Sequence, residues 1–255
     1  MRSVQIIALN TFREIVRDRV LYGLVVFSIL LIGFSLVLGN LSFSEQARIS
    51  IDFGFSGIQL SSVILSIFVG STLVSKEIEK QTLMTLLARP LSRFEFVIGK
   101  FVGLGLVVTI AVLGLFGVLL LLTFIMKWAI NLAFFISLVG ILAESILLMA
   151  MTIFFGMISK PILAVSYSLS LFLLGHWIGD LPYFAEKSSS ASFKFFSKII
   201  EYVIPNLEMF DFRSAAIYGD EIPAAQLLRT MVYAVSWIAL CLTGAGILFK
   251  RKDFG

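Results

Sequence analysis

The sequence predicts an all-α membrane protein with six transmembrane helices, on three observations. Its 255 residues are 59% hydrophobic and only 14% charged, with a mean hydropathy of +1.01. Soluble globular chains sit nearer half apolar and a quarter charged. The apolar excess comes in long uncharged runs, and a run of about 18 or more such residues suffices to cross a hydrocarbon core as a helix. Finally, the runs lack the period-two alternation that membrane-spanning barrels require.

The elements follow in chain order. Residues 20–44 are uncharged and form the first predicted span, and residues 53–75 form the second. A charged insert, 76–100, precedes the third span at 101–126. Residues 128–159 carry one charge, Glu144, and are too long for a single crossing, so the fourth span is placed at 133–158 behind an interfacial lead-in. Lys160-Pro161 makes a turn into the fifth span, 162–179. A mixed polar stretch, 180–229, leads to the sixth span, 230–249, which ends in `KRKDFG`. The whole chain reads as one transmembrane domain.

Loop Lys and Arg residues set the orientation, because they accumulate on the cytoplasmic side. With both termini on one side, that side carries thirteen of the 20 Lys and Arg residues and the other side seven, spread over far more loop. The expectation is a multi-pass protein of the cytoplasmic (inner) membrane with both termini cytoplasmic.

Two further segments are amphipathic. In residues 3–19, Val4, Ile7, Ala8, Phe12 and Ile15 share a helical face while Arg13 and Arg17 point elsewhere. A basic amphipathic helix ahead of a span lies along lipid headgroups. In `SFKFFSKIIEYVIP`, Phe193, Phe196, Ile199, Ile200 and Val203 fall at helical spacing until Pro205 stops the helix. Each reads as a surface anchor or as a working part of a transport path. The N-terminal stretch has neither the short apolar core nor the small-residue cleavage site of a signal peptide. The lone Cys241, inside the last apolar run, excludes an intrachain disulfide and reads as a small packing residue.

Several chemistries are excluded or weak. The only Gly-Lys pair, Gly99-Lys100, is followed by Phe101, and Phe94 stands where a phosphate-binding loop needs its first glycine. A single histidine argues against a His-based metal site, and a single cysteine excludes a CxxC pair. `GFSG`, Gly54–Gly57, resembles an intramembrane serine protease motif, and His176 could act as its base. Ser56 between two glycines reads more plainly as a helix cap. Glu144 is the one acid inside a span, and an intramembrane carboxylate is costly unless paired, protonated or wetted. It reads either as a functional group or as a protonated side chain hydrogen-bonded at a helix or subunit interface. His176 in `GHWIGDLP` reads as interfacial beside Trp177. The pairs Gly99/Gly103 and Gly175/Gly179 permit close helix approach.

The insert `SKEIEKQTLMTLLARPLSRFEFVIGK` carries eight charges between two apolar runs. Within it Ile78, Thr82, Leu86 and Leu83, Leu87 recur at helical spacing, giving a short helix with an apolar stripe. Pro90 ends it by pushing Arg89 out of the α region. Ser92 with Glu95 forms a capping box for a second helix that runs into span three. The insert therefore reads as a structured helical hairpin, either gripped by a cytosolic partner or resting on the membrane surface.

This insert resembles the cytoplasmic signature of type-2 ABC transporter permeases, the exporter-class membrane subunits. Glu77, Thr82, Leu83, Leu86, Leu87, Pro90, Leu91, Ser92, Arg93, Gly99 and Lys100 stand in register with that signature, and Gln81 departs from the usual glycine. The amphipathic N-terminus, `PNLEMFDF` and the basic C-terminus extend the resemblance over nearly the whole chain. The most similar subfamily includes permeases described for multi-copper enzyme maturation, sodium efflux or gliding. The resemblance implies an elbow helix at residues 1–19, a cytoplasmic coupling helix within 76–100, and outer re-entrant helices within 181–222 that close a gate. It also implies two permease copies, identical or homologous, and two copies of a separate ABC ATPase. ATP and Mg would then be bound by that partner and no cofactor by this chain. The residues implied to contact the ATPase are Glu77, Lys80, Thr82, Leu83, Leu86, Leu87, Pro90 and Arg93. The chain itself would not be an enzyme and would bind no nucleic acid. Competing readings are an ATP-independent secondary transporter using Glu144, the Ser56 protease, and a membrane scaffold. A secondary transporter should show repeats or broken helices, and neither is evident.

Overall fold

A computed structural model of the chain describes residues 2–40, 45–79 and 93–251. Among these residues every regular element is helical. We label the α-helices α1 (Arg2–Val16), α2 (Arg19–Asn40), α3 (Gln46–Glu79), α4 (Arg93–Ile125), α5 (Leu132–Ile158), α6 (Pro161–Trp177), α7 (Leu181–Lys187), α8 (Ala191–Val203), α9 (Arg213–Tyr218) and α10 (Ala224–Arg251). Short 3-10 turns occupy Ile178–Asp180 and Glu208–Phe210.

Among the described residues, six segments are long and apolar enough to cross a membrane: Leu21–Gly39, Gln46–Ser71, Phe94–Ile125, Leu132–Ile158, Pro161–Lys187 and Ala224–Lys250. Helices are the natural form for such runs, because lipid offers no partner to a free backbone N–H or C=O. Both ends of α3 differ from the sequence reading. Helix α3 begins at Gln46, seven residues before the predicted start at 53, because `QARISID` continues the helix despite its charges. Helix α3 also runs unbroken through Lys76 and Glu77 to Glu79, so the start of the charged insert prolongs span two. Helix α4 starts at Arg93 and carries directly into span three, as expected of the helix after Ser92. Of the residues expected to contact an ATPase, Glu77 lies near the end of α3 and Arg93 opens α4, whereas Lys80, Thr82, Leu83, Leu86, Leu87 and Pro90 lie outside the described residues. So does Ser92 of the expected capping box.

Helices α3 and α5 form the centre of the bundle, while α2, α6 and α10 flank them and leave most of their surface bare. The core of α3, α4 and α5 is aromatic. Phe55, Phe116 and Phe134 meet with ring centroids 4.7 to 6.3 Å apart, in the tilted and edge-on geometries that ring quadrupoles favour. Close approach of α3 to α5 depends on Gly70, where a β-carbon would lie 3.0 Å from Thr152 Cβ and 3.1 Å from the Met149 carbonyl.

Helix α1 docks on α4 through glycines. A β-carbon at Gly99 would lie 2.9 Å from Ile7 Cβ, and one at Gly103 would lie 2.5 Å from the Ala8 carbonyl. Ile7, Ala8 and Ile15 are buried there, on the face expected from their spacing, while Arg13 and Arg17 stay exposed. Glu14 of α1 pairs with Lys100 of α4 at 3.7 Å. The small-residue pair Gly99/Gly103 thus seats another helix of the same chain.

Between α4 and α5 the chain reverses at Lys127, which takes a left-handed φ of 54°. Asn131 then caps α5, accepting from Phe134 N–H at 2.9 Å. Helix α8 begins at an N-cap, Ser190, whose hydroxyl accepts from Phe193 N–H at 3.3 Å. The expected apolar face of α8 is exposed at Phe193, Phe196, Ile199 and Val203, and Ile200 faces an apolar groove shared with Leu174, Trp177 and Phe184.

Candidate functional site

The long connection between α6 and α10 turns back into the bundle. The segment after Pro205 enters a cleft floored by glycines. A β-carbon at Gly175 would lie 2.7 Å from Leu207 Cγ, and one at Gly140 would lie 2.9 Å from Phe212 Cδ2. Leu207, Phe210 and Phe212 are buried as a result. Backbone groups that would be orphaned by this burial find partners. Leu207 N–H donates to the Gly175 carbonyl at 2.9 Å. Ser137 Oγ donates to the Phe212 carbonyl at 2.9 Å, Asn131 Nδ2 to the Ala216 carbonyl at 3.1 Å, and Thr230 Oγ1 to the Met209 carbonyl at 3.2 Å. The Tyr233 hydroxyl accepts from Asn206 N–H at 2.8 Å. Gly219, at φ 80°, ends α9 by donating to the Ala215 carbonyl. The segment 205–219 is therefore a plug tied to α5, α6 and α10.

Arg213 locks the plug to α3. Its Nε donates to Asp211 Oδ1 at 2.8 Å and its Nη2 to Oδ2 at 2.5 Å, a two-point clamp, while Nη1 donates to Ser56 Oγ at 2.6 Å. Burial alone would raise the Asp211 pKa, but the hydrogen bonds and charge of Arg213 outweigh it and hold the carboxyl below the ordinary aspartate value. Burial would correspondingly lower the Arg213 pKa, and the carboxylates of Asp211 and Asp52 hold it above its usual value instead.

Beneath the plug lies a cluster of buried polar side chains from three helices. Ser56, Gln59 and Ser62 recur every three residues on α3, and Gly140 and Glu144 are four apart on α5, so each set shares one face. Gln59 Nε2 donates to Glu144 Oε2 at 2.7 Å. Gln59 Nε2 also lies 3.2 Å from His176 Nε2, and that imidazole nitrogen is 3.5 Å from Glu144 Oε1. The other ring nitrogen, Nδ1, faces the Phe172 carbonyl at 3.1 Å. A carbonyl only accepts, so Nδ1 carries a hydrogen. Ser145 Oγ on α5 donates to Ser62 Oγ at 2.8 Å, and two turns further Thr152 Oγ1 donates to Ser168 Oγ at 2.8 Å, tying α5 to α6.

Several sequence expectations are resolved by this geometry. Glu144 is at a helix interface, 1% exposed, with Oε2 hydrogen-bonded by Gln59 and Oε1 without a partner. His176 is not simply interfacial beside Trp177, because its ring turns inward to Gln59 and Glu144. Ser56 is not a helix cap, since α3 starts ten residues earlier, at Gln46. Nor do Ser56 and His176 form a catalytic pair: Ser56 Oγ accepts from Arg213, and both imidazole nitrogens face other groups. Gln59, Asp211 and Arg213 were not singled out from sequence. Gln59 had one signal, being the lone carboxamide in the uncharged run 53–75. The described residues contain no cluster of three or more metal-ligating side chains.

The described residues thus combine six candidate spans with a segment, 205–219, folded back against the bundle, and the sequence carries no phosphate-binding loop. The family profile described as ABC-2 family transporter protein matches residues 5–254, nearly the whole chain. Comparison with curated proteins gives no match. The chain belongs to the ABC-2 family of transporter proteins, as a membrane permease subunit of an ABC transporter that lacks ATPase activity of its own.

Proposed function

We propose that this permease forms half of a dimeric exporter of the cytoplasmic membrane, driven by two copies of a separate ABC ATPase. The observation that carries the reading is the family match across residues 5–254, joined to the register of the 76–100 insert with the exporter-class signature. In that reading ATP and Mg are bound by the partner, and Glu77, Lys80, Thr82, Leu83, Leu86, Leu87, Pro90 and Arg93 meet it. The lever geometry supports this. Helices α3 and α4 continue past the apolar stretch to Glu79 and from Arg93, so a push on the intervening residues acts directly on two spans. Both termini are cytoplasmic, α1 lies as an elbow on the inner leaflet, and the plug at 205–219 closes the outer gate. In this reading the permease belongs with those described for multi-copper enzyme maturation, sodium efflux or gliding, which the signature of the 76–100 insert resembles.

Co-expression of the tagged chain with its ABC ATPase tests the coupling. The two should co-purify, and Leu83→Asp with Leu87→Asp should abolish both co-purification and stimulated ATP hydrolysis while leaving the permease in the membrane. Unchanged coupling in that double variant overturns the reading.

A further inference from the structure

The Glu144 carboxyl has one oxygen satisfied and one not. Oε2 accepts from Gln59, whereas Oε1 is buried and has no hydrogen-bond partner. Its nearest polar neighbour is His176 Nε2, 3.5 Å away. That nitrogen cannot hold a hydrogen toward Gln59, whose Nε2 is itself a donor at 3.2 Å, and in the neutral ring it is a bare acceptor. An ionised Glu144 beside a neutral His176 would therefore place two acceptors face to face, with a full negative charge sealed inside the bundle. An unpaired charge in that setting is strongly disfavoured.

The charged groups around the pair do not remove the difficulty. On the plug, Arg213 is committed to Asp211 in a bidentate clamp, and Asp52 on α3 adds a further negative charge near it. On the α6 side, the Glu208 carboxylate packs over Gly179, and Asp180 follows it. Arg229 on α10 is exposed, and the charged residues of α4 (Arg93, Glu95 and Lys100) lie in its first turns. What restores neutrality at Glu144 is a hydrogen ion.

We propose that Glu144 and His176 form an intramembrane proton-binding site that holds one exchangeable proton between Oε1 and Nε2. Uptake forms one O–H bond at Glu144 or one N–H bond at His176 and breaks one O–H bond of a hydronium ion. Release is the reverse. The two partners differ in access, with the Glu144 side chain 1% exposed and the His176 side chain 23% exposed, so the proton enters and leaves through the imidazole. Gln59 is the positioning residue, because its amide nitrogen donates to Glu144 Oε2 and lies 3.2 Å from His176 Nε2. The site ties α3, α5 and α6 together directly beneath the plug. Loss of the proton leaves the two acceptors opposed and favours parting of α6 from α5, so opening at this seam is linked to proton release. The inference stands apart from the ATPase-coupling reading and survives or fails without it.

The test uses the full chain in lipid nanodiscs, labelled with ¹³C at glutamate carboxyls and ¹⁵N at histidine. His176 is the one histidine in the sequence, so its ring signals need no assignment. The Glu144 carboxyl is identified by its through-space contact to that ring in the wild type, and by its loss in Glu144→Asp. At neutral pH the expected result is one of two forms, a carboxylic acid with a neutral imidazole or a carboxylate with an imidazolium. A carboxylate with a neutral imidazole, or a carboxylic acid with an imidazolium, overturns the proposal. His176→Gln should shift the proton affinity of Glu144 by about tenfold or more, since groups sharing one proton titrate as a pair. An unchanged Glu144 titration in that variant also overturns it. Failure here leaves co-purification with an ATPase untouched, and failure of co-purification leaves the proton count untouched.

Discussion

Gln59 donates to Glu144 at 2.7 Å across 85 positions of sequence, joining the two most enclosed helices of the bundle at one buried bond. Truncating the donor strands an acceptor away from water, which costs about 1–3 kcal/mol. Gln59→Leu should therefore lower the thermal unfolding midpoint of the detergent-solubilised chain. Gln59→Leu combined with Glu144→Leu should recover part of the loss, because both polar groups are then gone. A double variant as unstable as the single one would show that the bond itself contributes little.

Gly103 seats α1 on α4, and a β-carbon there would meet the Ala8 carbonyl at 2.5 Å. Backbone cannot give way as a flexible side chain can, so Gly103→Val should undock α1. Limited proteolysis within residues 2–16 should accelerate severalfold. Gly114→Ala, a position with nothing within 4 Å, should leave the cleavage rate unchanged.

Gly140 accepts the plug, with Phe212 Cδ2 2.9 Å from where a β-carbon would stand. Gly140→Val should expel the segment 205–219 and expose Leu207 and Phe210. Increased protease cleavage within that segment is the readout, with the six spans still inserted.

Asp211 and Arg213 make the stability of the plug depend on pH. A carboxyl whose folded pKa is depressed contributes stability that is present above its unfolded value of about 3.9 and is lost as pH falls through the folded value. Arg213→Ala removes the depressing partner and leaves the opposing effect of burial. The variant should fall short of the wild type most clearly at neutral pH, and the gap should close as pH drops below about 4 and Asp211 becomes protonated in both. Thermal unfolding from neutral to acidic pH would show it, and a gap independent of pH would refute it.

The legibility of this chain divides along physical lines. Apolar run length reported six helices because lipid leaves a backbone no other way to satisfy itself. Ile7, Ala8 and Ile15 announced the docked face of α1 because a 3.6-residue period is a local property. Helix ends were harder. Helix α3 extends from Gln46 to Glu79 beyond its apolar stretch, since charged residues such as Glu and Lys propagate a helix as readily as they leave the membrane. Glu144 stood out because charge in a span is rare, but its partners did not. Gln59 is 85 residues away, and His176 lies in a segment whose Trp and Gly neighbours resemble any membrane boundary.

By itself the sequence determined a membrane chain with six long apolar runs, an amphipathic N-terminus, an acid in the middle of one run and no nucleotide-binding motif of its own. Those are properties of run length, period and residue inventory. Only the tertiary structure decided that Gly99 and Gly103 receive α1, that Gly140 and Gly175 receive the plug, and that Glu144, Gln59 and His176 converge. A glycine states only that close approach is permitted, and a buried polar group states only that it needs a partner. Which backbone approaches and which partner arrives depends on segments far away in the chain, brought together by the packing of α3, α5 and α6.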